Sequence, residues 1–280
     1  MRAFSQAAGL MYHEVTDDPS DSGFQRPGAR PYALPRSTFS DHLDAIAAGP
    51  CVPEDVRDIN FTQPGRHLLL TFDDGGRSAR AVADALTERG WRGHFFIVTG
   101  RIGERTFLRP SDIIAIRNAG HIIGSHSHTH PDIFRELSHE RMRLEWRVSR
   151  DILTALLGEP CVTASVPGGD SSPDVLQAAS DCGMRYVFTS EPLLRPYLVD
   201  RCWVLGRLAL KTDVSAARVR ELVAFRGWAR AHLERRLKVL ARLGMGPLYR
   251  MYVERSTRPI AGNGTPVPQA QATKSLESRA

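Results

Sequence analysis

The chain has 280 residues, of which 42% are hydrophobic and 24% charged, as is usual for a globular protein. This composition excludes a disordered, collagen-like or disulfide-dense chain, and no apolar run approaches the roughly 18 residues of a transmembrane helix. The net charge of +6 comes almost entirely from arginine, but no nucleic-acid-binding signature accompanies it, so we expect no nucleic-acid partner. The N-terminus shows no signal-peptide apolar region, which predicts a cytoplasmic protein.

Short apolar runs alternate with helical patterns along the first 210 residues, which predicts an α/β fold with parallel strands. The predicted strands, rich in Leu, Ile, Val or Phe, are residues 9–13, 67–72, 94–98, 121–125, 162–166, 186–189 and 203–210. The predicted helices between them are residues 37–48, 78–89, 111–118, 138–157 and 173–181. We expect Ser37, Ser111 and Ser138 to cap three of these helices, because serine side chains accept hydrogen bonds from free helical N–H groups.

Three further segments differ in composition from this pattern. Residues 16–36 are rich in Pro, Gly, Ser and Asp and predict a long loop, a kind of segment that often forms a lid. We predict a main domain over residues 1–213, a basic helical extension over 214–255 and a disordered tail over 256–280. The extension has two interpretations. In the first interpretation, which we favour, its helices pack on the main domain and expose an arginine-rich face to solvent. In the second, they make peripheral contact with an anionic membrane.

Two adjacent carboxylates, Asp73 and Asp74, follow the predicted strand that contains Leu68 to Leu70. Ligands in parallel α/β folds bind at the carboxyl ends of the strands. Because adjacent residues leaving a strand point in different directions, one carboxylate can bind a metal while the other acts as a base. The same residues also suit a solvated turn, since Asp-Gly is a common turn pair.

Three histidines follow another predicted strand, at positions 126, 128 and 130. A helical turn would bring His126 and His130 to one side, since they are four residues apart. Imidazole and carboxylate together suit a divalent transition metal. The two clusters therefore indicate a His, His, Asp site with open positions, which is typical of metal-assisted hydrolysis. The alternative is a histidine-rich surface loop.

These motifs resemble those of the polysaccharide deacetylase family, which is also described as carbohydrate esterase family 4 or the NodB homology domain. Residues 71–75 read TFDDG, residues 126–130 read HSHTH and fit the pattern H-[ST]-x-x-H, and residues 166–169 read VPGG, similar to a third motif in which a strand ends in Pro-x-Gly. The resemblance covers roughly residues 8–210. It implies a distorted (β/α)7 barrel, here with a C-terminal helical extension.

The resemblance also implies roles for individual residues. Asp74, His126 and His130 are expected to bind a divalent metal, which in this family is typically Zn²⁺ and sometimes Co²⁺ or Ni²⁺. Asp73 is expected to be the catalytic base that takes a proton from the attacking water, and the N–H of Gly168 is expected to bind the oxyanion. The implied activity is removal of N-acetyl groups from amino sugars of a polysaccharide, oligosaccharide or lipid-linked glycan.

The sequence departs from the family pattern in two places. The third motif lacks the arginine that contacts the catalytic aspartate in many members, and residues 205–211 lack the histidine that many members use as general acid. Residues 10–15, LMYHEV, resemble the opening strand of an exopolysaccharide-type subgroup that uses an N-terminal histidine as the acid. We therefore hypothesise that His13 is the general acid. Arg207 is a candidate for fixing the substrate or orienting Asp73.

Two other functions stay open at this point. One is an amide hydrolase of the same superfamily that acts on a small cyclic amide or a formamide. The other is a catalytically idle module that binds a metal or a glycan, which the two departures favour and the intact Asp73 opposes. The sequence does not predict the position of the acetyl group or the oligomeric state.

Overall fold

The computed structural model describes residues 4–169 and 171–244. The strands in this part of the chain are β1 (Ser5–Tyr12), β2 (Glu14–Val15), β3 (Ala33–Leu34), β4 (Gly65–Phe72), β5 (Gly93–Ile97), β6 (Ile122–Ser125), β7 (Thr163–Ser165), β8 (Tyr186–Phe188), β9 (Tyr197–Val199), β10 (Cys202–Leu205) and β11 (Arg207–Ala209). The α-helices are α1 (Arg36–Ala47), α2 (Ala79–Thr87), α3 (Pro110–Asn118), α4 (His139–Leu157), α5 (Pro173–Asp181), α6 (Ala216–Val223) and α7 (Trp228–Gly244).

The strands form a central, mostly parallel sheet in the order β11-β1-β4-β5-β6-β7-β8-β10-β9, with only β9 antiparallel to its neighbour among the described strands. β10 pairs with β8 and β11 pairs with β1, and a single residue, Gly206, separates β10 from β11. One stretch of chain therefore joins the two sides of the sheet. The fold is the predicted distorted (β/α)7 barrel, in which β10 and β11 act as the seventh strand.

The distortion lies between β1 and β10. The carbonyl of Leu194 accepts a hydrogen bond from the N–H of Ala7 at 2.7 Å, and β9 occupies the free edge of β10. A loop and an antiparallel strand therefore cover backbone groups that direct strand pairing would satisfy in a regular barrel.

The side chains of β4 alternate between two environments, as the two-residue period of a strand requires. Leu68, Leu70 and Phe72 lie in the core between the sheet and the surrounding helices. Leu69 belongs to a second cluster inside the barrel, with Phe96 of β5 among its members. The next inward positions after Leu69 are residues 71 and 73, so the strand aims the first aspartate of the TFDDG motif into the barrel.

The seven predicted strands and five predicted helices of the barrel are confirmed, with shifted ends. Ser138 caps α4 as predicted, since its side chain accepts a hydrogen bond from the N–H of Arg141. The predictions for Ser37 and Ser111 are wrong, because both lie one residue inside their helices. In α3, Pro110 takes the first helical position, which suits its fixed φ angle and missing N–H.

The predicted loop over residues 16–36 contains the short strand β3. This strand pairs in parallel with β2, which follows β1 along the chain. In the C-terminal region, α6 packs Val219, Leu222 and Val223 into the main core. Residues 245–280, including the predicted tail over 256–280, lie outside the described residues, and the division of the chain at residue 213 stays a prediction. In the part described, no helix combines the length and the apolar character that a membrane crossing needs. The cytoplasmic location stays a prediction.

Candidate active site

The carboxyl ends of β4 and β6 bring three predicted metal ligands together. Asp74 Oδ1 lies 3.4 Å from His126 Nε2 and 3.6 Å from His130 Nε2. One ligand atom from each residue can be chosen so that all three atoms lie within 4.8 Å of one another. Asp74 is 8% exposed and His126 only 1%. The alternatives of a solvated Asp-Gly turn and a surface histidine loop are therefore wrong.

The segment that carries His126 and His130 is an irregular turn and not the helical turn we expected. Ser127 and His130 have positive φ angles of 63° and 56°, and the N–H of His130 donates to Ser127 Oγ at 3.1 Å. Glu145 of α4 holds the middle of this turn, because its buried carboxylate accepts three hydrogen bonds from residues 128 and 129. Sequence analysis did not identify Glu145, which lies 15 residues beyond the motif.

Ser165 at the end of β7 orients both a candidate metal ligand, His126, and the candidate base, Asp73. Its hydroxyl donates to Asp73 Oδ1 at 3.2 Å and lies 2.6 Å from His126 Nδ1. Since the hydroxyl proton is directed to Asp73, His126 Nδ1 is the donor in the second contact. The lone pair of His126 is then on Nε2, on the side of Asp74, as metal binding requires.

Asp73 forms a buried ion pair with Arg207, which is fully buried on β11. The guanidinium donates from Nη1 to Oδ1 at 2.7 Å and from Nη2 to Oδ2 at 2.9 Å. It also donates to Thr71 Oγ1 and to the carbonyl of Thr189, both at 3.1 Å. Of the two roles considered for Arg207 from the sequence, fixing the substrate or orienting Asp73, these contacts support the second. Arg207 fills the place of the arginine that the third motif lacks.

This pair sets the charge of Asp73. Burial by itself raises the pKa of the carboxyl, but the charge of Arg207, its hydrogen bonds and the nearby His126 together hold the pKa of Asp73 below its usual value. Burial acts in the opposite direction on His130 and lowers the pKa of its imidazole to about 3. Asp73 is therefore ionised and His130 neutral at physiological pH.

His13 lies at the same end of the barrel, directly after β1. The register of β1 on β4 aligns Tyr12 with Phe72, so His13 and Asp73 leave neighbouring strands at the same level. The His13 ring packs against the ring of Tyr32 in a tilted arrangement, with centroids 4.4 Å apart and an interplanar angle of 52°. Burial lowers the pKa of His13, an effect that the charges of Asp74 and Asp73 oppose. Its Nδ1 is buried without a hydrogen-bond partner among the described residues.

Gly168 lies in the turn that follows β7 and approaches the segment that comes after His130. An added Cβ at Gly168 would lie 3.6 Å from the carbonyl oxygen of Asp132. Gly168 and Gly169 both have positive φ angles, 64° and 67°, which glycine adopts without steric cost. The turn therefore depends on the two glycines of the VPGG segment.

The loop over residues 16–36 forms one wall of the site. The ring of Phe24 lies over His130 with centroids 4.8 Å apart, and Arg26 pairs with Asp132 at 2.7 Å. The same loop carries Tyr32, whose ring packs against His13. Sequence analysis predicted a functional loop here but did not identify Phe24 or Tyr32.

The donor set fits a divalent metal. In tetrahedral coordination with bonds of about 2.0–2.1 Å, neighbouring donor atoms lie about 3.4 Å apart. The separations of 3.4 and 3.6 Å from Asp74 Oδ1 to the two imidazole nitrogens match this spacing. One carboxylate and two imidazoles leave room for further ligands, as in catalytic rather than structural metal sites.

Comparison with known proteins shows the same kind of domain. Residues 61–187 match the family model described as polysaccharide deacetylase. A chitooligosaccharide deacetylase from Rhizobium leguminosarum bv. trifolii is 24% identical over 140 residues, which are 48% of this chain and 63% of that protein. A peptidoglycan-N-acetylglucosamine deacetylase from Bacillus cereus is 27% identical over 116 residues, 41% of this chain and 40% of that protein. The chain thus matches less than two thirds of the length of each of these relatives.

Solved structures share the fold over most of the chain. The Streptococcus pyogenes deacetylase PplD, solved in complex with acetate, has a TM-score of 0.67 at 16% identity and covers 79% of this chain and 99% of its own. IcaB from Ammonifex degensii has a TM-score of 0.65 at 20% identity, with 79% and 98% covered. At these identities the likeness establishes the barrel fold and not the substrate.

Proposed function

Because the chain belongs to the polysaccharide deacetylase family, we propose that it is a metal-dependent hydrolase that removes N-acetyl groups from amino sugars of a glycan. The observation that carries the proposal is the convergence of Asp74, His126 and His130 beside Asp73, which is not part of the candidate ligand set. The curated relatives act, by their names, on a chitooligosaccharide and on peptidoglycan N-acetylglucosamine. This supports an N-acetylated polysaccharide, oligosaccharide or lipid-linked glycan as the substrate class.

Asp74, His126 and His130 would hold the metal, with Zn²⁺ proposed first and Co²⁺ or Ni²⁺ as alternatives. A divalent ion at this position supplies a Lewis acid that polarises the acetamide carbonyl and makes water more acidic. Asp73 is the proposed general base, since a base must lie within hydrogen-bond reach of the attacking water. Arg207 holds both carboxylate oxygens of Asp73, so the base has one fixed orientation.

The remaining proposed roles belong to Gly168 and His13. The N–H of Gly168 would donate to the oxyanion, an interaction worth about 3–4 kcal/mol for one well-placed donor. His13 would give a proton to the departing amine, for which its position next to Asp73 and Asp74 is suited. The products are then acetate and the free amino sugar.

The test combines metal analysis with an acetate-release assay on N-acetylated chitooligosaccharides. We expect the purified protein to bind one divalent ion and to release acetate. A chelator should abolish the acetate release, and added Zn²⁺ should restore it. His126→Ala should lose both properties, whereas His128→Ala, in the same turn, should keep both because His128 contacts Thr99 and not the donor set. Acetate release that survives chelation and His126→Ala would contradict the proposal.

The same protein also distinguishes the two alternatives. Hydrolysis of a small cyclic amide or a formamide, without acetate release from N-acetylated glycans, would identify the amide hydrolase. Metal or glycan binding without turnover of any of these substrates would identify the idle module. The intact pair of Asp73 and Arg207 favours the enzyme, because a buried ion pair beside the metal site serves no evident purpose in a binding module.

His13 has its own test. Replacement by alanine should lower kcat by about 10²–10⁴-fold if the residue acts as general acid, and metal content should be unchanged because His13 is not among the proposed ligands. A Tyr32→Phe variant keeps the ring that packs against His13 and serves as the control, with turnover near that of the native protein. Near-normal turnover of His13→Ala would remove His13 from the mechanism.

The favoured interpretation of the C-terminal region, packing on the main domain, holds for α6 and for Trp228 at the start of α7. For the exposed face of α7 we also propose peripheral contact with anionic membranes. On α7, Leu233 and Leu237 are 59% and 58% exposed and are four residues apart, while Arg230 and Arg236 are exposed on the same helix. Exposed leucines flanked by arginines suit an anionic lipid surface. Sedimentation with phosphatidylserine vesicles should show binding that weakens at high salt and in Leu233→Ser; no binding to these vesicles would end the idea.

A further inference from the structure

Arg235 of helix α7 contacts two segments that adjoin the candidate active site. Arg235 donates from Nη2 to the carbonyl of Gly169 at 2.9 Å and from Nε to Glu191 Oε1 at 3.2 Å. Both side chains of the resulting ion pair are partly shielded, with 18% and 27% of their surface exposed. The guanidinium therefore bridges the turn after β7 and the loop after β8, two segments that come from different strands.

The first segment carries the proposed oxyanion donor. Gly168 and Gly169 have consecutive positive φ angles, a conformation that two glycines leave weakly determined because neither has a side chain to pack. The two bridged segments also touch directly, since an added Cβ at Gly169 would lie 2.0 Å from Ser190 Oγ. The hydrogen bond from Arg235 fixes the carbonyl of Gly169, one residue beyond the N–H that is proposed to bind the oxyanion.

The second segment positions the proposed base. The carbonyl of Glu191 accepts a hydrogen bond from the N–H of Arg207 at 3.0 Å, and the carbonyl of Thr189 accepts from Arg207 Nε at 3.1 Å. Arg207 in turn holds Asp73. Glu191 therefore accepts a hydrogen bond from Arg235 with its side chain and one from Arg207 with its main-chain carbonyl.

We propose that Arg235 is a positioning residue of this active site, and that the basic C-terminal region completes the site instead of being an appendage to it. The proposal rests on the proposed function above. Through one guanidinium, α7 holds the turn that presents the Gly168 N–H and the loop that supports Arg207 against Asp73. A displacement of about 1 Å in such groups can lower a rate by about 100-fold.

The helix itself does not depend on Arg235 for its attachment. Trp228, at the start of α7, is 3% exposed, belongs to the main core and donates from Nε1 to the carbonyl of Leu222 at 3.0 Å. A substitution at Arg235 should therefore leave α7 folded and docked. Arg236, the next residue, is exposed and provides the matched control.

The kinetic test compares Arg235→Gln, Arg235→Lys and Arg236→Gln with the native Zn²⁺-loaded protein, using acetate release from N-acetylated chitooligosaccharides. We expect kcat of Arg235→Gln to fall by about 10–100-fold with little change in KM, because the positioned groups act on the transition state. Arg235→Lys should recover only part of the rate, since an ammonium does not reproduce the forked geometry that bridges two acceptors. Arg236→Gln should match the native protein.

Two controls separate positioning from a general loss of stability. Zinc content and thermal midpoint of Arg235→Gln should stay close to the native values, and guanidinium ion at millimolar concentration should restore part of the kcat of Arg235→Ala but not that of Asp73→Asn. A kcat of Arg235→Gln within twofold of the native value would overturn the proposal. So would a drop in kcat that only follows loss of bound zinc.

Hydrogen exchange gives a readout that does not require turnover. Peptides that contain Gly168 and Gly169, and those that contain Thr189 to Glu191, should exchange faster in Arg235→Gln than in Arg236→Gln. Equal exchange in the two variants would overturn the positioning role even if the enzyme is active. If the native protein releases no acetate, the proposed function fails, and the exchange result alone then decides whether Arg235 holds these segments.

Discussion

The candidate base is held by a buried charge pair inside the barrel. Arg207 is fully buried and lies against the rings of Phe96 and Phe188, at 5.7 and 5.8 Å from their centroids. Taking two charges out of water has a large desolvation cost, which the bidentate contact with Asp73 and the further hydrogen bonds offset. Such a pair fixes one orientation for the carboxylate, as catalysis requires, and makes either residue costly to replace.

Replacement of Asp73 by asparagine should separate the base from the metal ligands. Acetate release should fall by about 10²–10⁴-fold, and the free energy of unfolding should fall by about 3–5 kcal/mol, because the charge of Arg207 loses its partner. Metal content should stay native, whereas Asp74→Asn should lose both metal and turnover. Assays of acetate, metal content and urea unfolding on the two variants check this, and near-native turnover of Asp73→Asn would be incompatible with its role as base.

A second buried carboxyl, that of Glu14, holds the front loop in place. It accepts hydrogen bonds from the N–H of Gly23 at 2.7 Å and from Ser78 Oγ at 2.5 Å. Burial raises the pKa of Glu14 to about 7, with an additional contribution from the charge of Asp74, while its two hydrogen bonds lower it. Since the loop it holds also carries Phe24, Glu14 links Ser78, at the start of α2, to the wall over His130.

The raised pKa of Glu14 predicts a pH-dependent stability. Between its unfolded value of 4.5 and its folded value of about 7, the folded protein keeps a proton that the unfolded chain loses, so stability falls as pH rises through this window. Relative to Glu14→Gln, the native protein should lose at most about 3 kcal/mol from pH 4.5 to pH 8, at about 1.4 kcal/mol per pH unit.

Urea unfolding of both proteins at several pH values, in chelator so that no cation acts on Asp74, measures this difference. Glu88→Gln, at an exposed position of the surface, should show no comparable trend against the native protein. A stability difference between the native protein and Glu14→Gln that stays constant from pH 4.5 to pH 8 would show that Glu14 titrates normally.

At the scale of elements, the barrel closes at Gly206, between β10 and β11. An added Cβ there would lie 2.3 Å from the carbonyl oxygen of Leu193 and 2.5 Å from that of Glu191. Both contacts are with backbone, which cannot move aside as the end of a flexible side chain can. Closure therefore requires glycine at this position for space, and it places Arg207 on the adjoining strand.

Gly206→Ala should destabilise the protein by about 1–3 kcal/mol, the usual cost of overpacking, and should lower turnover by displacing Arg207. Gly90→Ala is the control, because an added Cβ there meets nothing within 4 Å and only the positive φ is penalised. Thermal unfolding and acetate release of the two variants check the prediction. Equal losses at the two glycines would show that the close approach at Gly206 relaxes without cost.

At the scale of the whole molecule, the candidate site combines the carboxyl ends of several strands. Asp74 follows β4, the candidate ligands His126 and His130 follow β6, Gly168 follows β7, and Arg207 lies on β11. Such groups converge only when the barrel is closed, so the unfolded chain presents no comparable site. A ligand that binds the folded state alone must then stabilise it.

Metal binding should therefore raise the stability of the whole domain. At a free Zn²⁺ concentration 1,000 times the dissociation constant, the free energy of unfolding should rise by about 4 kcal/mol. Scanning calorimetry of the native protein with and without Zn²⁺ measures the shift. The shift should be absent in His126→Ala and retained in His128→Ala; a zinc shift that survives in His126→Ala would place the ion elsewhere.

The sequence alone determined the strand and helix pattern, the TFDDG and HSHTH motifs and the candidate ligands. These signals are local. Apolar runs and glycine stops define elements within a few residues, and a motif keeps its ligands close along the chain. Helix ends were less predictable from the sequence. Ser111 was expected to be the N-cap of α3, but the fixed φ angle of Pro110 suits the first helical position, so the helix begins one residue earlier.

Only the tertiary structure decided which distant side chains complete the site. Arg207 meets Asp73 across 134 residues, Glu145 lies behind the histidine turn, Ser165 joins a ligand to the base and Arg235 arrives from α7. None of these pairings leaves a local pattern, because each depends on strand register and on closure of the barrel. A spacing along the chain can place two candidate ligands on one turn. Only the folded sheet brings Arg207 on β11 to Asp73, which follows β4, two strands away.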